Sequence, residues 1–168
     1  MKNQYFGDIN DYRKYGLLRI LSDNGAIHTM ICWMLTENDP SSDGKYISYL
    51  NKPEAWRKFD PELFDVLQHS LNNKSRSVHN IEQTALLPAS VFHSDIITDS
   101  NVERERYFLK LLESAKDREL VFFDPDNGME VKSRKCGKKN SCKHIYRNEL
   151  QATYTAGHSL LVYQHFPR

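Results

Sequence analysis

Apolar and polar positions in this chain fall into blocks whose period switches between that of a helix and that of a strand. Over residues 8–21, Tyr12, Tyr15 and Leu18, joined by Leu17 and Leu21, recur at helical spacing. Arg13, Lys14 and Arg19 are expected on the wet face of that helix. Asp8 is the expected cap, with Asp11 three residues on completing a capping-box-like pair. Asp23-Asn24-Gly25 is the stop. Residues 26–35 are an apolar run that predicts a buried strand. Residues 36–44, dense in Asn, Asp, Pro, Ser and Gly, predict a loop.

Further along, Trp56, Phe59, Leu63, Phe64 and Leu67 predict a helix over residues 53–71, which Pro61 either kinks or divides into two. A short helix is expected over residues 78–86 and a strand over 91–97. The helix over 101–115 has Asn101 as its expected cap and Tyr107, Phe108, Leu111 and Leu112 as its inner stripe. Residues 120–123 predict a strand, 146–154 a helix stopped at Gly157, and 159–164 a last strand. Strands alternating with helices predict an α/β fold: a Rossmann-like three-layer sandwich with a mostly parallel sheet, one domain over residues 1–168. Doubly wound sheets usually continue past such a strand with a helix and an edge strand. The chain stops at His-Phe-Pro-Arg instead, so truncation at the carboxyl terminus is an expectation.

Composition narrows the class. At 168 residues and 39% apolar content the chain can bury a core without disulfide or metal staples. A net charge of +1 excludes a global polyanion-binding character. Cys32, Cys136 and Cys142 are odd in number and no signal-peptide pattern opens the sequence, which points to a reducing cytoplasm. No apolar run is long enough for a membrane span, so no membrane partner is expected. Oligomeric state is not legible.

The chemistry concentrates in two places. Leu120-Val-Phe-Phe-Asp124-Pro125-Asp126-Asn127-Gly128 is an apolar strand ending in two carboxylates, the way a parallel strand delivers catalytic groups to the carboxyl edge of its sheet. Every residue of that turn is also an ordinary turn former. The second place is residues 132–147, where Lys132, Arg134, Lys135, Lys138, Lys139, Lys143 and Arg147 put seven cations into sixteen residues with no acid among them. Phosphate-bearing ligands are the natural partners of such a patch, and a mobile solvated loop is the bland alternative. His165, past the last strand, is a candidate base or substrate contact. Asp8, Asp11 and Lys14, set among Tyr5, Phe6, Tyr12 and Tyr15, suit a substrate-facing arm. Cys136, Cys142 and His144 lack a conventionally spaced fourth ligand, so no metal site is assigned.

Three motifs carry a resemblance: Tyr5-Phe6-Gly7-Asp8-Ile9-Asn10-Asp11-Tyr12-Arg13-Lys14-Tyr15-Gly16-Leu17-Leu18, Phe122-Phe123-Asp124-Pro125-Asp126-Asn127-Gly128 and Leu161-Val162-Tyr163-Gln164-His165-Phe166-Pro167. Together they resemble an uncharacterised bacterial and phage protein family, which brings no activity with it. More remotely, Gly7, Asp8, Asp11 and Lys14, with Asp124 and Pro125 later, resemble the motifs of class I ribosomal-RNA adenine methyltransferases. The departures are Asp126 and Asn127 at the second proline and aromatic of that family's later motif, and no glycine loop after residues 26–35. That resemblance implies S-adenosylmethionine as a cofactor.

The leading expectation is an enzyme acting on a nucleotide or nucleic acid. Asp124 would orient the reacting group, with Asp126 and His165 assisting. Asp8, Asp11, Lys14, Asn127, Lys135, Lys138, Lys139 and Lys143 would contact the substrate. One alternative is a Mg²⁺-dependent phosphoryl hydrolase or nuclease built on Asp124 and Asp126, with Glu130 or Glu149 as a further ligand. The other is a non-catalytic nucleotide- or protein-binding module.

Overall fold

Thr29-Met-Ile-Cys32 is buried along its whole length, and Leu120-Val-Phe-Phe123 likewise. Runs buried on both faces belong at the centre of a parallel sheet. In the computed structural model, which describes residues 1–22, 25–41 and 43–165, they lie there. Strands β1 (Thr29–Cys32), β2 (Ser90–His93), β3 (Leu120–Phe123) and β4 (Ser159–Val162) form one sheet in the order β2-β1-β3-β4. Every pairing is parallel, with Cys32 level with His93 on one side and with Phe123 on the other, and Phe123 level with Val162. Six α-helices complete the described chain, and the fold is Rossmann-like α/β. No helix among the described residues is long and apolar enough to cross a membrane.

The chain divides into two compact units. The first holds Met1, residues 27–37 and residues 89–168, and so carries the whole sheet. Its core sets Met30, Cys32, Val121 and Phe123 against Tyr107, Phe108 and Leu111 of helix α5 (Asn101–Ser114). Leu150 of helix α6 (Arg147–Thr155) packs on the same core. The α5 stripe is as the 3.6-residue period predicts, but its cap is Ser100, whose hydroxyl accepts the Glu103 N–H at 3.4 Å, rather than Asn101. β1 and β4 are shorter than the runs over residues 26–35 and 159–164 that contain them, and β2 starts one residue before its expected run over 91–97 and stops at His93. Beyond β1 only an isolated parallel bridge, Leu35 with Ile96, continues the ladder.

The second unit comprises residues 2–26 and 38–88. Its helices are α1 (Ile9–Ser22), α2 (Pro53–Trp56), α3 (Pro61–Asn72) and α4 (His79–Glu82). Pro61 starts α3 rather than kinking a longer helix: its missing N–H costs nothing at the first position, and Asp60 caps the end by accepting the Leu63 N–H at 3.1 Å. Tyr12, Tyr49 and Phe64 form an aromatic cluster with centroid separations of 5.4–6.3 Å. Two sequence expectations for α1 fail. Leu17 is 46% exposed rather than on the inner face, and Lys14 is buried rather than wet. The burial of Lys14 is tolerable because Asp11 pairs with it at 2.8 Å, three residues back on the same helix. The expected stop at Asp23-Asn24 and the Phe166-Pro167 end of the third motif lie outside the described residues.

Candidate functional site

In the β2-β1-β3-β4 order the chain steps outward to β2 on one side of β1 and to β3 and β4 on the other. The carboxyl ends of β1 and β3 therefore flank a topological switch point, where open α/β sheets bind their ligands. The residues there are Met34, Leu35 and Thr36 after β1, and Asp124, Pro125 and Asp126 after β3. Met34 is buried with a backbone φ of +47°, a conformation L-residues rarely hold without surrounding support.

That support is Met1. Its ammonium lies 2.6 Å from Asp126 Oδ1 and donates to the carbonyls of Asp124 at 2.8 Å and Met34 at 3.3 Å. Its own carbonyl accepts the Thr36 N–H at 2.9 Å. Residue 1 thus bridges the ends of both central strands. The Thr36 hydroxyl donates to Asp126 Oδ2 at 2.8 Å, so both oxygens of Asp126 have partners. This carboxylate fixes the crevice. Asp124 is buried beside it, its N–H donating to the Cys32 carbonyl at 3.0 Å.

The turn after Asp126 is clamped from two directions. Gly128 has φ +81°, and a Cβ there would collide with the Gln164 amide. Gln164 Oε1 accepts the Met129 N–H at 2.9 Å, tying the end of β4 to the turn. Asn127 donates its N–H to the Lys143 carbonyl at 2.9 Å, and its side chain meets His144 Nε2 at 3.5 Å. His144 Nδ1 lies 3.2 Å from the Met129 carbonyl, an arrangement satisfied when Nδ1 carries the proton and Nε2 accepts. The Ile145 N–H donates to the Gly128 carbonyl and the Glu130 N–H to the Ile145 carbonyl. The basic segment is therefore an excursion that leaves the acidic turn and closes back on it.

The excursion is built, not loose. The Asp99 carboxylate accepts the N–H groups of Asn140 and Cys142, both at 2.8 Å, and the Ser141 hydroxyl at 3.1 Å. Burial alone would raise the Asp99 carboxyl, but these donors hold it below its ordinary value. Arg104, buried on α5, pairs with Glu149 through Nε at 2.5 Å and Nη2 at 2.9 Å. The same guanidinium donates to the carbonyls of Ser141 at 3.3 Å and His144 at 2.7 Å. It stacks 5.0 Å from the Tyr146 ring centre, whose hydroxyl donates to the Arg134 carbonyl at 3.1 Å. Lys135, Lys138 and Lys139 are exposed on this frame, and Lys143 is half-buried at its neck.

The other expected site residues fall as follows. His165 is exposed, three residues past β4. Asp8 and Asp11 belong to the second unit and are buried. Asp8 accepts the N–H groups of Asn10 at 2.9 Å and Tyr46 at 3.0 Å, so it organises a turn as well as capping α1. Asp11 is the ion-pair partner of Lys14. Glu149 is committed to Arg104 and to the Tyr146 N–H at 2.8 Å, and Glu130 accepts the Arg147 N–H at 3.0 Å. Among the described residues no three His, Cys, Asp or Glu side chains stand together in a way that could hold a metal ion. Burial pushes the Cys32 thiol up to about 12. Burial and the Asp99 carboxylate push Cys142 up to about 11, so neither is a ready nucleophile.

Met1, Thr36, Asp99, Arg104 and Gln164 were not singled out in the sequence. A signal existed for Arg104, a cation at the inner-stripe spacing of Tyr107, Phe108 and Leu111. Asp99, Thr36 and Gln164 act on groups far along the chain, which no local pattern announces. A scan against family models, a search of curated proteins and a search of solved structures each found no match to this chain.

Proposed function

We propose that this protein is an enzyme acting on a nucleotide or nucleic acid at the carboxyl edge of its sheet, beside the ends of β1 and β3. One observation carries the reading: the acidic strand end and the seven-cation segment are a single hydrogen-bonded unit, closed at Asn127–Lys143 and Gly128–Ile145. An ordered cationic frame attached to a switch-point crevice suits a phosphate-bearing substrate presented to a carboxylate. Asp124 orients the reacting group by accepting its N–H or O–H. Asp126, held by Met1 and Thr36, keeps the crevice in shape, and His165 at the end of β4 is the candidate proton carrier. Lys135, Lys138, Lys139 and Lys143 hold phosphate.

The residues present do not favour S-adenosylmethionine after β1. Residues 33–37 contain no glycine for a close backbone approach, and Met1 fills the gap between Met34 and Asp124. No step is assigned to a methyl donor. The test is calorimetric titration with mononucleotides, short single-stranded RNA and S-adenosylmethionine, paired with a turnover screen of wild type and Asp124→Asn. The reading expects nucleotide or RNA binding that survives in Asp124→Asn while turnover is lost. Absence of any nucleotide or RNA binding would refute it. Tight adenosylmethionine binding would restore methyl transfer as the chemistry.

A further inference from the structure

A second concavity lies on the helical side of the first unit, between α5 and α6. It is a groove of about 470 Å³. That size is within the range of small-ligand sites. Its walls are Phe108, Leu109 and Leu112 from α5 and Ala152 from α6, and Arg104 and Glu149, paired to each other, lie among them. Cys136, from the basic segment, also lines it. Lys135 precedes Cys136 directly, and Gly137, Lys138 and Lys139 follow it. Three exposed lysines thus lie within three residues, in sequence, of the Cys136 wall of the slot.

The two features fit one occupant. The exposed lysines stand on successive tight turns, closed by Lys138 N–H on the Lys135 carbonyl and Ser141 N–H on the Lys138 carbonyl. They point to a run of phosphates rather than to one. A flat apolar slot beside a phosphate track is the arrangement by which proteins hold an unstacked base. Asn101, Glu105 and Asn148 also line the slot, and their amide and carboxylate groups can meet the donor and acceptor edge of a base. Glu105 in particular would accept from an exocyclic amine.

We propose that the α5–α6 groove takes one unstacked base of a single-stranded nucleic acid whose phosphates run over Lys135, Lys138 and Lys139. This rests on the nucleic-acid reading above, and it adds an anchoring site separate from the Asp124 crevice. Preorganisation of the segment by Asp99 and Arg104 lowers the ordering cost of binding.

The test uses the full chain and two probes: a short fluorescein-labelled single-stranded RNA, and inorganic polyphosphate as a polyanion without bases. Ala152 is exposed, and Ala152→Phe places a ring in the groove; Leu109→Ser, also at an exposed position, removes part of its wall with little demand on folding. The expected result is RNA binding weakened tenfold or more in Ala152→Phe and several-fold in Leu109→Ser, with polyphosphate binding unchanged in both. The triple variant Lys135→Glu, Lys138→Glu, Lys139→Glu is expected to bind both ligands far more weakly. If both groove variants bind RNA as the wild type does, the base site is overturned while the nucleic-acid reading stands. If wild type binds neither probe, that reading fails and takes the base site with it.

Discussion

Asp126 shows how much a single carboxylate can be asked to hold. With the Met1 ammonium on one oxygen and the Thr36 hydroxyl on the other, it closes the gap between the two central strands. Both members of the ion pair are almost wholly buried, at 1% and 3% side-chain exposure. Removing one partner of a buried pair leaves the other charge stranded, at a cost of about 3–5 kcal/mol. Asp126→Ala should therefore lower the denaturation midpoint markedly, and Thr36→Val by much less. Two residues placed ahead of Met1, which turn its ammonium into an amide, should destabilise in the same direction. A tag at the carboxyl end serves as the control, with urea unfolding as the readout. His93 supplies a pH test. It is buried against the Tyr107 ring, with centroids 4.3 Å apart, and its Nε2 has no hydrogen-bond partner among the described residues. Burial lowers its pKa, and nearby Asp95 offsets part of that while Lys110 adds to it. A histidine whose folded pKa is depressed takes up protons more readily unfolded, so stability is full above its unfolded value and falls as pH drops below about 6.5. Denaturation midpoints measured from pH 8 to 5 should decline, and His93→Phe should flatten the acid limb.

At the scale of elements, the Arg104–Glu149 pair joins α5, α6 and the basic segment, and carbonyls on that segment take two more guanidinium protons. Arg104→Ala is expected to cost about 3–5 kcal/mol, as a broken buried pair does. It should also raise amide exchange over residues 132–144 selectively; uniform exchange across the unit would show that the segment is not held by this arginine. Gly128→Ala should be similarly harmful, because it strains a left-handed backbone and drives the Gln164 amide from its place. These elements also show what the sequence could reveal. Helices α1, α3 and α5 and strand β3 were legible because a strong apolar period or an unbroken apolar run coincided with a cap, a proline or a turn. The Asp124–Gly128 turn was legible as a site for the same reason: apolar residues stop where carboxylates begin. What was not legible is whatever depends on a partner far along the chain. Lys14 reads as a solvent-facing cation until Asp11 is seen to pair with it, and nothing local announces Asp99, on which three donors of the basic segment converge. The division into two units was hidden as well, since a polar loop over residues 36–44 followed by helices reads equally as a connection within one α/β domain.

Over the whole molecule, a formal charge of +1 conceals a polar distribution. Seven of the 23 lysines and arginines sit in sixteen consecutive residues on a frame that the sheet edge anchors. On the proposed reading such a field would steer polyanions toward one end of the sheet without making the protein basic overall. The account therefore stands or falls on whether a nucleic acid is held there. The most direct measurement is the salt dependence of single-stranded RNA binding by wild type and by the Lys135→Glu, Lys138→Glu, Lys139→Glu variant. Each phosphate neutralised adds about 0.7 to the slope of log affinity against log salt for a single strand, so losing three contacts should flatten the slope by about 2. Wild type should bind RNA at low salt with a steep slope, and the variant should bind weakly with a shallow one. Equal slopes and affinities for the two proteins, or no RNA binding by the wild type at low salt, would contradict the account.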